Sequence, residues 1–126
     1  MSSITRGQSS LRTVIYHNPN CSKSRQTLAL LQGRGIEPEI IEYLKAPPDI
    51  AALTSLLEKL GVTPLEFMRK GENDYKAAEA ELHKMSNVEQ IVWLAAHPRV
   101  IERPVVVTAK GARIGRPPEQ VLEILG

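Results

Sequence analysis

The sequence contains very little cysteine, because Cys21 is the single thiol in 126 residues. One thiol cannot form an internal disulfide, and no signal-peptide pattern is present, so we expect a reducing, cytoplasmic location. Long apolar runs are also missing, since no stretch approaches the length that crosses a membrane. We therefore expect neither a disulfide framework nor a membrane as partner.

Aromatic residues and net charge are also low. Aromatic side chains make up 4% of the chain, which argues against a stacking platform for single-stranded nucleic acid. The 16 basic and 14 acidic side chains leave a net charge of +2, too small to indicate a nucleic-acid partner. Cysteine and histidine do not occur with metal-ligand spacing, and no glycine-rich phosphate loop is present, so we predict no metal site.

The order of the predicted elements indicates an α/β fold. A β-branched strand at 12–17, an amphipathic helix over 22–32 and a strand at 37–43 predict a βαβ unit with parallel strands. A helical middle follows, with a helix from the Pro-Pro-Asp signal to Gly61, a helical turn at 63–69, and helices over 75–82 and 87–96.

The last quarter of the chain predicts an antiparallel hairpin and a final helix. The segment Arg-Pro-Val-Val-Val-Thr is a buried-type strand, Lys-Gly-Ala-Arg is a turn into a second strand, and a helix covers 117–125. The complete order predicts a thioredoxin-like layout: a four-stranded mixed sheet flanked by helices, with a helical insert between the βαβ and ββα halves. We interpret 1–11 as a disordered tail and 12–126 as one domain.

Cys21 lies between an Asn-Pro-Asn turn and the first predicted helix. Backbone N–H groups and the helix dipole favour negative charge there, so the thiol is expected to ionise easily. Unpaired cysteine is also a common core residue, and both interpretations stand at this point. Polar neighbours at 22–25, among them Lys23, favour a reactive sulfur. Ser24 occupies the position of a second thiol in a Cys-x-x-Cys pair, so any redox cycle needs a thiol from another molecule.

Arginines are the candidate partners of the sulfur. Taken singly, Arg69, Arg103, Arg113 and Arg116 are typical of solvated surface charges. Arg103 and Arg116 each precede a proline at the start of a predicted element, and guanidinium groups match the geometry of tetrahedral oxyanions. His17, four residues before the thiol, either tunes the thiolate or braces the loop. The other two histidines, His83 and His97, are interpreted as surface or helix-end residues.

Four segments of the chain resemble one known family: YHNPNCSKSRQTLALL, FMRKGE, IERPVVVT and ARIGRPPEQVLEIL. Together they resemble the glutaredoxin-dependent arsenate reductases of the thioredoxin superfamily, over nearly all of 14–125. The resemblance implies reduction of arsenate to arsenite, with glutathione as co-substrate, glutaredoxin as partner and no bound cofactor. It also implies site residues: the nucleophile Cys21, the loop residues His17, Ser24 and Arg25, the anion-binding arginines Arg69, Arg103 and Arg116, and the cis-proline position Pro104.

Two features distinguish this chain within that resemblance. Ser22 and Lys23 stand where the best-studied plasmid-type members carry smaller residues, so the chain looks closer to a chromosomal branch. Related thiol-stress transcription regulators share the fold but usually carry a Cys-x-x-Cys pair, and Ser24 argues against that branch. Two other functions remain open: a regulatory module that binds RNA polymerase or another protein through the helical insert, and a general glutathione-linked thiol oxidoreductase.

Overall fold

The computed structural model describes residues 12–125, so the predicted tail at 1–11 lies outside the described residues. The chain forms two compact units. Among the described residues, the first contains 12–42 and 103–125, and the second contains Tyr43–Glu102. The interpretation of 12–126 as one domain stays a prediction.

The first unit is built on a mixed sheet of four strands in the order β2-β1-β3-β4. The strands are β1 (Val14–His17), β2 (Glu39–Glu42), β3 (Val105–Thr108) and β4 (Gly111–Ile114). β1 runs parallel to β2 and antiparallel to β3, and β3 and β4 form an antiparallel hairpin. The predicted fold class, a thioredoxin-like mixed sheet with helices, is confirmed.

Helix α1 (Ser22–Gly33) follows β1, and a 3₁₀ helix (Pro118–Ile124) closes the unit. The two helices contribute to a common core with the central strands of the sheet. Its buried members are Ile15, Leu31, Val106, Val121 and Ile124. Each side chain of this size contributes about 1.5–3 kcal/mol when it leaves water, so this core holds α1 on the sheet.

Several predicted boundaries in the first unit were wrong, and proline chemistry accounts for two of them. β2 begins at Glu39 because Pro38 has no N–H to donate, whereas the N–H of Glu39 donates to the Thr13 carbonyl at 2.8 Å. The final helix begins at Pro118 as a 3₁₀ helix, with Pro117 extended before it. In the hairpin, residues 109–110 alone form the turn, and Gly111 already belongs to β4.

The second unit is helical. It contains α2 (Ile50–Leu60), α3 (Asn73–Leu82) and α4 (Asn87–Ala96), with 3₁₀ helices at Leu65–Phe67 and Pro98–Val100. Helix α2 starts where Asp49 accepts a hydrogen bond from the N–H of Ala52 at 2.8 Å, and it ends at Gly61, whose φ of 71° is left-handed. Helix α4 starts with a capping box between Ser86 and Glu89. The predicted bounds of α4 are confirmed, and the predicted turn at 63–69 is the shorter 3₁₀ helix.

Candidate active site

Cys21 is the N-cap residue of α1, with the extended backbone (φ −103°, ψ 124°) that ends the preceding loop. Its own N–H donates to the Asn18 carbonyl at 3.0 Å, which closes the Asn-Pro-Asn turn. No acidic residue lies in the first turn of α1, so no carboxylate competes with the sulfur for the positive end of the helix dipole. Cys21 is buried, with 9% of its surface exposed, and it lies outside the cluster formed by Ile15, Leu31, Val106, Val121 and Ile124.

Arg116, two residues after the end of β4, reaches the sulfur with its side chain. Its Nη2 atom donates to Cys21 Sγ at 3.5 Å, and its Nε atom donates to the carbonyl oxygen of Arg103 at 2.8 Å. The second bond orients the guanidinium plane and joins the two arginine-bearing segments. Two of the three arginines that the resemblance implies, Arg103 and Arg116, therefore lie together in the first unit.

The electrostatic surroundings lower the pKa of the Cys21 thiol below its ordinary value. Burial is the largest influence and acts in the opposite direction, because it disfavours the charged form. The backbone N–H of Ser24, the charge of Arg103, the backbone N–H of Lys23 and the charge of Arg116 together outweigh burial. Lys23 acts on the sulfur through its backbone N–H. A depressed pKa in a sulfur beside guanidinium groups is typical of a nucleophilic thiolate.

His17 and Ser24 form a buried hydrogen-bonded pair next to the thiol. His17 Nδ1 lies 2.6 Å from Ser24 Oγ, which also accepts from the backbone N–H of Asn18 at 3.0 Å. Burial lowers the pKa of His17, Glu42 raises it and Arg25 lowers it, with a net decrease. The pair ties the loop before the thiol to the first turn of α1, and the neutral imidazole is favoured there.

The remaining loop residues hold the same segment. Arg25 donates from Nη1 to the Pro19 carbonyl at 2.9 Å, which fixes the outer side of the Asn-Pro-Asn turn. Pro104 is buried, and the Arg103–Pro104 and Arg116–Pro117 peptide bonds are both cis. The catalytic roles of these residues stay predictions.

Arg69 belongs to the second unit. Its N–H donates to the Val100 carbonyl at 2.7 Å, and its Nη1 donates to Glu72 Oε2 at 2.7 Å. Its Nε lies 3.8 Å from Glu102 Oε1, so two carboxylates of that unit accompany this guanidinium. The role of Arg69 in anion binding stays a prediction that the resemblance supports.

The remaining candidate residues belong to a surface ion pair or lie at helix ends. Arg113 pairs with Glu123 at 2.7 Å on the surface of the first unit. His83 and His97 are the C-cap residues of α3 and α4. Within residues 12–125, no three His, Cys, Asp or Glu side chains lie together as ligands for a metal ion. Across the same range, no helix combines the length and apolar character needed to span a bilayer.

Sequence reasoning missed two residues that lie where α1 meets the arginine-bearing segments. Gly115 precedes Arg116, and its N–H donates to the Pro104 carbonyl at 2.9 Å. Thr27, fully buried in α1, lies against Gly115 and donates from its hydroxyl to the Lys23 carbonyl at 2.8 Å. The only available signal was a glycine next to the Arg-Pro-Pro segment, and spacing alone does not reveal what a glycine contacts.

A mixed sheet of this order, with a thiol at the N-terminus of the first helix, defines a thioredoxin-like protein. Residues 16–124 match the model of the ArsC family. This chain belongs to the ArsC family, and the family predicted from the sequence is confirmed.

Individual relatives match along almost the whole chain. Escherichia coli (strain K12) YfgD, named an uncharacterized protein, is 50% identical over 113 residues, covering 89% of this chain and 95% of its own. An arsenate reductase of Haemophilus influenzae is 43% identical over 116 residues, covering 91% and 100%. The solved structure of the arsenate reductase from Vibrio cholerae is 47% identical with a TM-score of 0.86, covering 92% of this chain and 99% of that one.

Proposed function

We propose that this protein reduces arsenate to arsenite, with the Cys21 thiolate as nucleophile and with glutathione and glutaredoxin as external reductants. The observation that carries the proposal is the Arg116 guanidinium 3.5 Å from the sulfur and bonded to the Arg103 carbonyl at 2.8 Å. A thiolate beside two guanidinium groups suits attack on a tetrahedral oxyanion. The arsenate reductases among its relatives support arsenate as that anion.

In the first step the thiolate attacks arsenic, an S–As bond forms, and one arsenate oxygen leaves as water after protonation. Arg103 and Arg116 neutralise the anion, and a hydrogen bond to a charged group contributes about 1.5–3 kcal/mol net of the water contacts that it replaces. The backbone N–H groups of Ser24 and Lys23 stabilise the attacking thiolate. His17 and Ser24 keep the loop fixed during this step through their 2.6 Å contact.

The following steps need outside thiols because the chain has a single cysteine. Glutathione displaces a second oxygen as water and forms a second S–As bond. A glutaredoxin thiol then attacks the glutathione sulfur, and the electron pair of that S–As bond stays on arsenic, which becomes As(III). Glutaredoxin leaves as its mixed disulfide with glutathione. Water finally hydrolyses the bond between Cys21 and arsenic, which releases arsenite and the free thiol.

The test is a coupled assay with the purified full chain, arsenate, glutathione, glutaredoxin, glutathione reductase and NADPH. We expect NADPH oxidation that depends on arsenate, with arsenite as product. The control is Cys21→Ser, which removes every thiol while circular dichroism confirms that the fold is retained. If no arsenate-dependent oxidation occurs while the glutaredoxin reduces a model disulfide in the same mixture, the proposal fails.

A second substrate in this assay, together with a pull-down, separates the two alternative functions. A general glutathione-linked oxidoreductase turns over a glutathionylated peptide and does not respond to arsenate. A regulatory module forms a stable complex in a pull-down that survives Cys21→Ser and has no turnover with either substrate. The proposal also assigns the protein to the cytoplasm, where the single thiol stays reduced, and this is tested by cell fractionation.

A further inference from the structure

Gly115 lies where three segments of the site come together. It directly precedes Arg116, it donates to the carbonyl of Pro104, and Pro104 directly follows Arg103. On its other side is Thr27, the sixth residue of the helix that carries Cys21 at its start. The helix and both arginine-bearing segments therefore meet at this one position.

No side chain fits at this position. A Cβ built on Gly115 would lie 2.5 Å from Thr27 Oγ1, 2.9 Å from Pro104 Cγ and 3.2 Å from Thr27 Cγ2. Contacts below about 3.0 Å do not persist, so a neighbour has to move. Gly115 is not among the glycines with positive φ, so the requirement for glycine here is close packing and not backbone conformation.

The crowded neighbours are connected to the thiol. Thr27 is fully buried, and its hydroxyl donates to the carbonyl of Lys23 in the first turn of α1. Pro104 is buried and is joined through Arg103 to the guanidinium of Arg116. A displacement of either neighbour therefore changes the distance between the sulfur and the arginines.

We propose that Gly115 is a positioning residue: because it has no side chain, α1 and the Pro104 segment approach closely enough for Arg116 to lie beside Cys21. An added Cβ separates the helix N-terminus from the arginines. The inference rests on the site of the proposed function. Its readout is the reactivity of the thiol, which is measured without arsenate, so it stands or falls independently of arsenate turnover.

The test is the rate of Cys21 alkylation by iodoacetamide as a function of pH in Gly115→Ala. We expect a higher apparent thiol pKa and, at pH values below it, an alkylation rate reduced by about threefold, which corresponds to about half a pKa unit. The double variant Thr27→Ala/Gly115→Ala removes two of the three crowded atoms and leaves Pro104 Cγ, so it is expected to recover part of the lost rate. Gly33→Ala is the matched control, because its Cβ meets nothing within 4 Å.

Two results overturn the inference when Gly115→Ala folds, as judged by circular dichroism. One is an apparent pKa equal to that of Gly33→Ala, and the other is a raised pKa that the double variant does not lower. If Gly115→Ala does not fold, the double variant decides. A folded double variant whose thiol pKa lies within about half a unit of the wild-type value supports the inference, and an unfolded one, or one with a larger rise, overturns it.

Discussion

Replacing Arg116 with Gln removes the charge that lies 3.5 Å from the Cys21 sulfur. Since that charge lowers the pKa of the thiol, Arg116→Gln is expected to raise it. Gln keeps a polar, hydrogen-bonding side chain at this exposed position. The substitution therefore changes the charge beside the sulfur and leaves the core of the unit intact.

The magnitude follows from the distance and the exposure. At 3.5 Å two unit charges interact by about 1.2 kcal/mol in water and about 5 kcal/mol at an effective dielectric constant of about 20. Arg116 is exposed, so solvent screening makes the lower value the appropriate one. About 1 kcal/mol corresponds to about 0.7 pKa unit, and hence to about fivefold less thiolate at pH values below the midpoint.

The assay is the pH dependence of iodoacetamide alkylation, measured at fixed ionic strength on the reduced protein. Arg113→Gln is the matched control, because Arg113 belongs to the same unit but pairs with Glu123 at 2.7 Å. The difference between the variants should shrink at high salt, since salt screens an exposed charge. Equal thiol pKa values in Arg116→Gln and Arg113→Gln would refute the electrostatic reasoning about this site.

Three further predictions concern stability, and urea denaturation checks each of them. Burial lowers the pKa of His17, so the folded state binds fewer protons than the unfolded chain as pH falls below 6.5, and the free energy of unfolding declines in that range. His17→Gln should flatten this decline. An unchanged pH profile would contradict the lowered pKa of His17. Ile15→Ala, at a fully buried position of β1, should lower the free energy of unfolding by about 2–5 kcal/mol, and a negligible loss would contradict the placement of Ile15 in the core. Ser86→Ala removes the capping box with Glu89 and should cost about 1 kcal/mol, whereas full stability would show that the cap contributes nothing.

The fold was largely predictable because its signals are local. The β-branched segment at β1, the apolar spacing of α1 and the cap signals of α4 each depend on residues within a few positions of one another. The errors fell at element ends, where pairing with another strand decides the boundary. β2 begins at Glu39, the first residue after Pro38 with an N–H to donate, but nothing in the sequence shows that its partner is the Thr13 carbonyl.

The amino-acid sequence by itself determined that one thiol directly precedes a helix and that any redox cycle must use an external thiol, because both depend on the residues adjacent to Cys21 and on the cysteine count. Tertiary structure alone decided that Arg116, 95 residues away along the chain, donates to that sulfur. It also decided that a side chain added at Gly115 would meet Thr27. The physical reason is that periodicity and capping report neighbours along the chain, whereas the charge beside a thiol depends on which strands pair and how closely a helix packs on them.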